Sequence, residues 1–522
     1  MIEQLVRPSP AAPVAIRPVH RSLRILVVAS EAPPTHSGIA RTIESLGAGL
    51  TERGHQVDVL AHPAVSRFVL REVRLYNLLS HLPGLRRSIN DYDVVHLHGA
   101  VPTLSDAFLL SVRAGGKHPP LVYTHHCDIG IESARVLTGI YNRLHRRLSS
   151  VADQQVCTTP GYAAHLGVSD DTAIIPLGID VARFATGRGK DQQFTVLFVG
   201  QFRPYKGVPL LLRAMAKVRG SRLIVAGRGA GEQAYRALGA ALGVDVEFHV
   251  SATDADLRRL YQRAHVIVLP SVTNAEAFGL VLLEGMAAGC VPVASDLPGV
   301  RDVLGRIGFT FPVRSERALA STLRFLRDNP ALVSDVGQRA RARASLFTWE
   351  RTISDYERLF QDLVMARKVN AHVAGTEVLD APLPEALAAH ILANLAAERA
   401  DVVFRTADDD AHVAVGSAAP LGFRGTPPAA RGAAMVAAYA RQTGESVLVA
   451  RDSGPLPLMS QLEADRLPML GVPLEVGCRR FGAFVAERQD PFDQRDLDGL
   501  QRLARHVSPG LLAWQQQQRR QC

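Results

Sequence analysis

Short apolar runs, each ending in a loop and followed by a helical pattern, recur between residues 24 and 294. The first run, Arg24–Ser30, is followed by an amphipathic pattern over Ile39–Arg53 and by a second run at Gln56–Leu60. A uniformly apolar run of this length predicts a strand of a parallel sheet, because helices cover both faces of such a strand. These three segments therefore predict a βαβ unit.

The strand and helix patterns form two consecutive series. The first series continues with strand patterns at Val94–Leu97, Leu121–Thr124, Gln155–Thr158 and Ala173–Pro176. The second series has strand patterns at Thr195–Gly200, Leu223–Gly227, Val246–Val250, Val266–Leu269 and Val291–Ala294. Consecutive α/β domains bind ligands in the cleft between the carboxyl edges of their sheets. We therefore predict an α/β fold with two Rossmann-like domains that face each other across a cleft.

The loop and helix after Val266–Leu269 carry the most specific pattern of the chain. Glu276 lies in the loop, and Glu284 follows about two turns into the helix. Carboxylates on either side of a strand-to-helix junction can converge on one pocket at the edge of the sheet. The free N–H groups at the start of this helix suit an anion such as a phosphate. We assign this helix start to Phe278, Gly279 and Leu280.

Two cations and a glycine are further candidates for a phosphate site. The loop after Thr195–Gly200 contains Arg203 and Lys206, which can clamp a diphosphate as a planar fork and as a compact charge. The alternative is a solvated basic turn. Gly38 lies in the first loop of the first domain, where a glycine lets the backbone approach a phosphate, although a plain turn explains it as well.

The segment Tyr123–Asp128 places two histidines at the end of a strand. A histidine in such a loop is more often structural than functional, which is our interpretation of His125, and an imidazole at His126 can hydrogen-bond a substrate. His96 and His98 alternate on another strand end, face the same side and are interpreted as packing residues. Because no further ligands follow at a supporting spacing, we expect no metal site.

The string Pro270–Gly289, together with Cys290–Val293, resembles the Glu-x7-Glu signature of the family-4 retaining glycosyltransferases, which have the two-Rossmann GT-B fold. The resemblance implies a nucleotide-sugar donor, either a UDP-sugar or a GDP-sugar. It also implies transfer with retention at the anomeric carbon and without a metal or other cofactor. In the resembled enzymes the position of Glu276 lies by the donor sugar, and that of Glu284 holds the nucleotide ribose.

The resemblance covers residues of both predicted domains. His126 matches the histidine of a Thr-x-His-x-Asp segment near the reacting centre, and Lys206 matches a phosphate-binding lysine. Gly38 aligns with a glycine-rich phosphate loop, of which one of the two usual glycines is present. The family usually has an arginine directly after the strand glycine, where this chain has Gln201, so we interpret Arg203 as the compensating cation.

We predict five segments along the chain. They are a disordered tail (1–20), an acceptor domain (21–185), a nucleotide-sugar domain with a crossover helix (186–367), a linker (368–385) and an α+β domain (386–522). In the resembled family a helix such as Trp349–Asp362 crosses back to brace the first domain. The chain continues beyond this helix, which indicates an appended domain.

The appended domain has its own composition. Alanine-rich helical patterns occur at Glu385–Arg399 and Ala429–Gln442, and a terminal helix is predicted at Gln494–His506. Strand patterns lie between them, at Ser446–Val449, Val472–Val476 and Phe481–Glu487. The strings Gly471–Gly477, Phe481–Arg488 and Pro491–Leu497 resemble the end of a GAF domain.

Charge and cysteine content restrict the partners and the compartment. Residues 61–150 contain 11 Lys or Arg against 6 Asp or Glu, and Arg67–Arg87 and Tyr141–Leu148 space arginines as helices do. Such helices suit an anionic membrane surface or an anionic acceptor, and a solvated basic face is the alternative. No nucleic-acid module accompanies the charge. Five scattered cysteines fit a reducing cytoplasm, so we predict a cytoplasmic protein and leave peripheral membrane contact open.

The function predicted from these patterns is retaining transfer of a sugar from a nucleotide-sugar donor. The acceptor can be a glycan, a lipid-linked sugar or a small molecule, and the appended domain would regulate the enzyme or bind a partner. Two alternatives remain at this point. One is a catalytically inactive, transferase-like binding or signalling protein that acts through its GAF-like domain, and the other is a phosphorylase of the same fold.

Overall fold

The computed structural model describes residues 14–15, 22–29, 37–60, 67–70, 73–76, 89–99, 104–113, 118–129, 135–185, 189–375, 379, 382–405, 412–419, 436–437, 440, 446–449, 468–477 and 479–521. Leu23–Tyr356 form one compact unit. The residues from Glu357 onward form a second unit, to which the short strand Val14–Ala15 (β1) also belongs. The division falls before the linker predicted at 368–385.

The unit Leu23–Tyr356 begins with an α/β domain. Its strands are Arg24–Val28 (β2), Gln56–Leu60 (β3), Arg67–Leu70 (β4), Val73–Tyr76 (β5), Val94–Gly99 (β6), Leu121–His125 (β7), Gln154–Cys157 (β8) and Ala173–Ile174 (β9). Its helices are Gly38–Glu52 (α1), Leu104–Arg113 (α2), Arg135–Ser149 (α3), Pro160–Leu166 (α4) and Val181–Ala185 (α5). Six of the strands form a parallel sheet in the order β3-β2-β6-β7-β8-β9.

A second α/β domain follows. Its strands are Thr195–Val199 (β10), Arg222–Gly227 (β11), Val246–Val250 (β12), Val266–Leu269 (β13), Val291–Ser295 (β14) and Phe309–Phe311 (β15). Its helices are Val208–Met215 (α6), Glu232–Ala241 (α7), Asp254–Arg263 (α8), Leu280–Ala287 (α9), Pro298–Leu304 (α10), Glu316–Arg327 (α11) and Pro330–Ala344 (α12). The parallel sheet has the order β12-β11-β10-β13-β14-β15. The predicted pair of Rossmann-like domains is thus confirmed.

Apolar runs became strands because they are buried on both sides, as β10 and β13 show with every residue buried. The three-residue strand β15 was missed because it is too short for a pattern. The helix predicted over Arg67–Arg87 is wrong for its first part, where β4 and β5 pair antiparallel. Phe68, Val69, Val73 and Tyr76 favour strands, and they outweighed the helical spacing of the arginines. The rest of that prediction, residues 77–88, lies outside the described residues.

The long helix Trp349–Val373 (α13) starts against the first domain. The Tyr356 hydroxyl lies 2.9 Å from Thr124 Oγ1, on β7. Thr352 Oγ1 donates to the carbonyl oxygen of Pro176 at 2.8 Å, and Ile353 packs against Gly49 of α1, where a Cβ would lie 2.2 Å from its Cδ1. The part of α13 up to Tyr356 thus braces the first domain, as the resemblance implied.

The second unit is α+β. Its sheet has the order β1-β17-β16-β20-β19-β18, with Arg399–Arg405 (β16), His412–Ala419 (β17), Val447–Val449 (β18), Met469–Val476 (β19) and Arg479–Glu487 (β20). Its helices in the described part of the chain include α13 from Glu357 onward, Leu383–Asn394 (α14) and Gln494–Gln521 (α15). The helix predicted at Glu385–Arg399 ends earlier, because β16 pairs with β17 and β20 from Arg399 onward. The helix predicted at Ala429–Gln442 lies mostly outside the described residues.

The predicted tail, residues 1–20, also lies outside the described residues except for β1. Val14 and Ala15 pair in parallel with Ala418 and Ala419 of β17, so these two residues depart from the predicted disorder.

Candidate active site

The second sheet reverses its strand order between β10 and β13, so the loops after these strands begin side by side. Gly207 ends the first loop with a φ of +73°, and a Cβ there would lie 2.0 Å from the carbonyl oxygen of Pro270. Only glycine permits this approach. The loops are also joined by a hydrogen bond from Val272 N to Tyr205 O, at 2.8 Å.

The approach of the two loops joins Lys206 to Glu276. Lys206 Nζ lies 2.5 Å from Glu276 Oε2, and Ser271 Oγ donates to the same oxygen at 3.1 Å. Burial alone disfavours the ammonium, but the Glu276 carboxylate outweighs burial and raises the pKa of Lys206 above its ordinary value. The site therefore holds a persistent cation whose partner is one of the two signature carboxylates.

Helix α9 presents the second signature carboxylate. It begins at Leu280, directly after Gly279, whose φ is +87° and whose Cβ would lie 2.7 Å from Leu269 Cδ2. Glycine thus lets the chain turn from buried β13 straight into the helix, as the sequence predicted. No side chain in the described part of the chain caps this start. Glu284 is 4% exposed, and the Tyr261 hydroxyl donates to its Oε2 at 2.5 Å.

The other oxygen of Glu284 binds a residue of the first domain that sequence reasoning missed. Arg41, on α1, donates from Nη1 to Glu284 Oε1, and this carboxylate raises the pKa of the guanidinium. Gly38 lies three residues earlier on the same face of α1, and its Cβ would lie 3.7 Å from Leu280 Cδ1. The starts of α1 and α9 therefore meet across the cleft. No local feature of the sequence indicated this contact, because it depends on how the two domains face each other.

The predicted histidines separate into two environments. His126 follows β7, and its Nε2 lies 2.7 Å from His98 Nδ1, with the rings stacked at 5.0 Å. Burial lowers the pKa of His126 to about 4, so its imidazole is neutral near pH 7. His125 instead pairs with Gln155 Oε1 at 2.7 Å, which agrees with its structural interpretation. His98 therefore orients His126 rather than acting as packing alone.

Arg203 is held separately from the lysine. Its Nε donates to Gln201 Oε1 at 2.8 Å, so the residue that replaces the family's arginine binds the proposed compensating arginine. Both residues line a cavity of about 440 Å³ whose far side is Arg228–Gly231. Gly227 permits the tight turn there, because a Cβ would lie 1.9 Å from the carbonyl oxygen of Gly200.

A larger cavity, of about 580 Å³, lies between the two α/β domains. The first domain contributes Asp128, Ile129, Thr138, Gly139, Asn142, Arg146 and His165. The second contributes Val272–Ala275, Asp296–Pro298, Val313 and Arg314. Because Ala275 precedes Glu276, this cavity reaches the loop that carries the first signature carboxylate. We name it the interdomain cavity.

The described residues contain no group of three or more His, Cys, Asp or Glu side chains placed to hold a metal ion. Among the helices described, none combines the length and the apolar character that crossing a membrane requires.

Three family models match the chain. They describe glycosyltransferase family 4 over residues 36–183, group 1 glycosyl transferases over residues 182–343 and the GAF domain over residues 385–511. The phosphatidyl-myo-inositol mannosyltransferase of Mycobacterium tuberculosis (strain ATCC 25618 / H37Rv) is 30% identical over 359 residues, which are 62% of this chain and 93% of the relative.

Solved structures show the same fold. Sucrose-phosphate synthase from Thermosynechococcus elongatus has a TM-score of 0.57 at 22% identity, and the match covers 66% of this chain and 100% of the other. Anabaena HepE in complex with UDP has a TM-score of 0.50 at 18% identity, with 65% and 99% covered. Both matches span two facing Rossmann-like domains, the GT-B arrangement.

Proposed function

Because the chain belongs to the family 4 glycosyltransferases, nucleotide-sugar-dependent enzymes of the GT-B fold, we propose that it transfers a hexose from a UDP-sugar or GDP-sugar with retention at the anomeric carbon. The observation that carries this proposal is a pair of carboxylates at the cleft, each joined to a cation. Glu276 pairs with Lys206 from the neighbouring loop, and Glu284 pairs with Arg41 from the opposite domain.

The cations and the helix start suit the departing nucleoside diphosphate, which gains negative charge as the bond to the sugar breaks. Preorganised positive charge and N–H donors stabilise such a leaving group. We assign this role to Lys206, to Arg203 and to the backbone of Phe278–Leu280, where the dipole of α9 adds partial positive charge. Gly38 would let the start of α1 approach the same phosphates.

The carboxylates suit the other parts of the donor. Each carboxylate oxygen accepts more than one hydrogen bond, so Glu284 can bind ribose hydroxyls while Arg41 and Tyr261 hold it in place. Glu276 would lie beside the anomeric carbon, which becomes positively charged in the transition state. His126, neutral and oriented by His98, would hydrogen-bond a hydroxyl of the donor sugar.

We propose that this chemistry needs no metal ion. The positive charge at the diphosphate would come from Lys206, Arg203 and the helix start, which is the role a metal fills in other transferases. Retention can follow a same-face dissociative route or a covalent one, and both use this distribution of charge. Activity should therefore survive an excess of chelator, and complete, metal-reversible loss would contradict the proposal.

The acceptor would bind in the interdomain cavity. Its lining mixes cationic, anionic and amide side chains, including Asp128, Asn142 and Arg146, which suits a polyhydroxylated or phosphorylated group. The relative from Mycobacterium tuberculosis is named for a phosphatidylinositol acceptor, which supports a lipid-linked acceptor. We propose a cytoplasmic enzyme that contacts the membrane peripherally and is regulated through its GAF domain.

The test combines binding and turnover. Thermal shift with UDP, GDP and ADP identifies the nucleotide, and release of that diphosphate from a panel of matching sugar donors identifies the substrate. Glu276→Gln should keep the fold and lose transfer, because it removes charge without changing volume. Glu316→Gln is the matched control, since Glu316 pairs with Lys217 on the surface. Near-normal turnover of Glu276→Gln would contradict the assignment.

The alternative of an inactive, signalling-only protein is not favoured. Family models match both Rossmann-like domains, and Lys206, Glu276 and Glu284 are present at the cleft with little exposure. Polar groups without a use cost stability when they are taken out of water, so their presence there indicates that they are used.

A further inference from the structure

Helix α3 exposes apolar side chains on the face that points away from the first domain. Val136, Leu137, Ile140 and Leu144 are 76%, 71%, 54% and 58% exposed. Their spacing of three and four residues places them on one side of the helix. Scattered exposed apolar residues need no explanation, but four on one helix face form a patch that water solvates poorly. We name it the outward face of α3.

The inward face of the same helix is polar and fixed. His145 Nδ1 lies 2.5 Å from Asp106 Oδ1 of α2, and the Tyr123 hydroxyl bonds to its other nitrogen. The Tyr141 hydroxyl also donates to Asp106, at 3.0 Å. These bonds hold α3 in one rotation, so the apolar residues cannot turn inward without breaking a buried polar network.

Positive charge is interleaved with the outward face. Arg143 and Arg147 are exposed and lie three residues after Ile140 and Leu144, respectively, on the same side of the helix. The helix Arg135–Ser149 contains four arginines and no Asp or Glu. Neighbouring α2 adds Leu110, which is 55% exposed and lies one turn after Asp106, toward α3. A protein that binds this face would need an apolar patch surrounded by acidic side chains. An anionic bilayer offers an apolar interior and negatively charged headgroups over its whole surface.

A third side of α3 lines the interdomain cavity. Thr138, Asn142 and Arg146 belong to this side, directly next to the outward face on the helix surface. One helix thus presents apolar and basic residues to the exterior and polar residues to the cavity. A surface bound to the outward face would lie beside the cavity.

We propose that the outward face of α3 binds the surface of an anionic lipid bilayer, so that the headgroup of a membrane lipid enters the interdomain cavity as acceptor. The second part rests on the proposed function, and the first does not. The apolar side chains would insert to the level of the acyl-chain boundary, while Arg143 and Arg147 contact lipid phosphates.

The experiment measures co-sedimentation of the full chain with two kinds of vesicle. One contains phosphatidylcholine alone, and the other also contains about 30% phosphatidylglycerol, which makes its surface strongly negative. Wild type should bind the anionic vesicles and lose binding at high salt. One arginine near an anionic surface raises the vesicle partition coefficient of a protein by a factor of about five. The double variant Arg143→Gln/Arg147→Gln should therefore bind the anionic vesicles about 25-fold more weakly. Leu137→Ser/Ile140→Ser should bind at least about tenfold more weakly.

Matched controls lie on the second α/β domain. Phe325→Ser and Leu346→Ser remove apolar residues that are 50% and 52% exposed, and Arg213→Gln/Arg317→Gln removes the same net charge. These variants should bind vesicles as wild type does. All variants should keep donor hydrolysis in vesicle-free buffer, because none of the changed residues lines the cavity or the donor site. The α3 variants should also keep the wild-type melting temperature, because the changed side chains are exposed.

Three results would overturn the proposal. The first is wild type that does not sediment with anionic vesicles, and the second is unchanged binding of both α3 double variants. The third is a concentration-dependent dimer that dissociates in the α3 variants, which would make the outward face an interface between copies. Vesicle binding is measured without substrate, so failure of the glycosyltransferase assay leaves this test intact. Transfer that prefers soluble acceptors over vesicle lipids would remove the acceptor part alone.

Discussion

The contact between Arg41 and Glu284 joins the two Rossmann-like domains at the candidate donor site. Because Arg41 lies outside the Glu-x7-Glu motif, removing this contact tests the site independently of the motif. Arg41→Met keeps the length of the side chain and removes its charge. Glu284 then retains only the Tyr261 hydroxyl as a hydrogen-bond donor to its side chain among the described residues. We expect weaker nucleotide binding and a modest loss of stability.

The expected losses of stability and of nucleotide affinity depend on how exposed the Arg41 side chain is. A hydrogen bond to a charged group contributes about 1.5–3 kcal/mol when it is well shielded. The Arg41 side chain is 45% exposed, so solvent screening should reduce the loss in the free energy of unfolding to about 1 kcal/mol. Without Arg41, the Glu284 side chain must be ordered by the nucleotide when it binds, which costs about 0.5–1.5 kcal/mol of binding free energy. The nucleotide Kd should therefore rise about fivefold to tenfold, counting the lost positive charge.

Calorimetric titration with the nucleotide that wild type binds best measures this effect. Arg53→Met is the matched control, because Arg53 directly follows the last residue of α1 and pairs with Glu350, whose side chain is 79% exposed. It should leave the nucleotide Kd unchanged. Glu284→Gln should weaken binding as well, and the double variant should lose less than the sum of the two. An unchanged or tightened Kd for Arg41→Met would refute the reasoning, since the arginine would then be idle or would block the site.

Three further predictions concern charge, pH and domain structure. Lys206→Ala should weaken binding of the nucleoside diphosphate and of the sugar donor alike, because the phosphates are common to both, and an unchanged diphosphate affinity by calorimetry would remove Lys206 from the site. Burial lowers the pKa of His125 and His126 to about 4 and that of His96 to about 3, whereas unfolded histidines titrate near about 6.5. On acidification the unfolded state therefore binds protons before the folded state does. The free energy of unfolding has its highest value above about pH 6.5 and falls toward about pH 4. Equal denaturant midpoints at pH 7 and pH 5 would contradict this. A chain that ends at residue 370 should stay soluble and turn over the donor, since Leu23–Tyr356 form one compact unit; an insoluble or donor-blind truncation would show that the GAF domain completes the catalytic core.

The features that could be predicted from the sequence are those written within one stretch of chain. The strand β13, the glycine that starts α9 and the two carboxylates lie within Val266–Glu284, so periodicity and local backbone rules were sufficient. Arg41 and Glu284 are 243 positions apart, and their contact depends on how two complete domains face each other. Tyr261 and His98 likewise reach the site through neighbouring elements. Such partners carry no local signal.

Helix α3 shows what the sequence did not predict. A basic helix over Tyr141–Leu148 that suits an anionic surface was predicted, but not which of its sides is buried. An apolar spacing of three and four residues normally predicts the buried side of a helix, so Val136, Ile140 and Leu144 would be placed inside. The structure places His145 inside, because Asp106 and the Tyr123 hydroxyl satisfy its ring nitrogens there. A polar network that is fully bonded can thus replace an apolar contact in the interior. The apolar side is then left at the surface, where exposure costs free energy until an apolar phase covers it. This inversion of the usual helix pattern is therefore the physical reason to expect a membrane at that face.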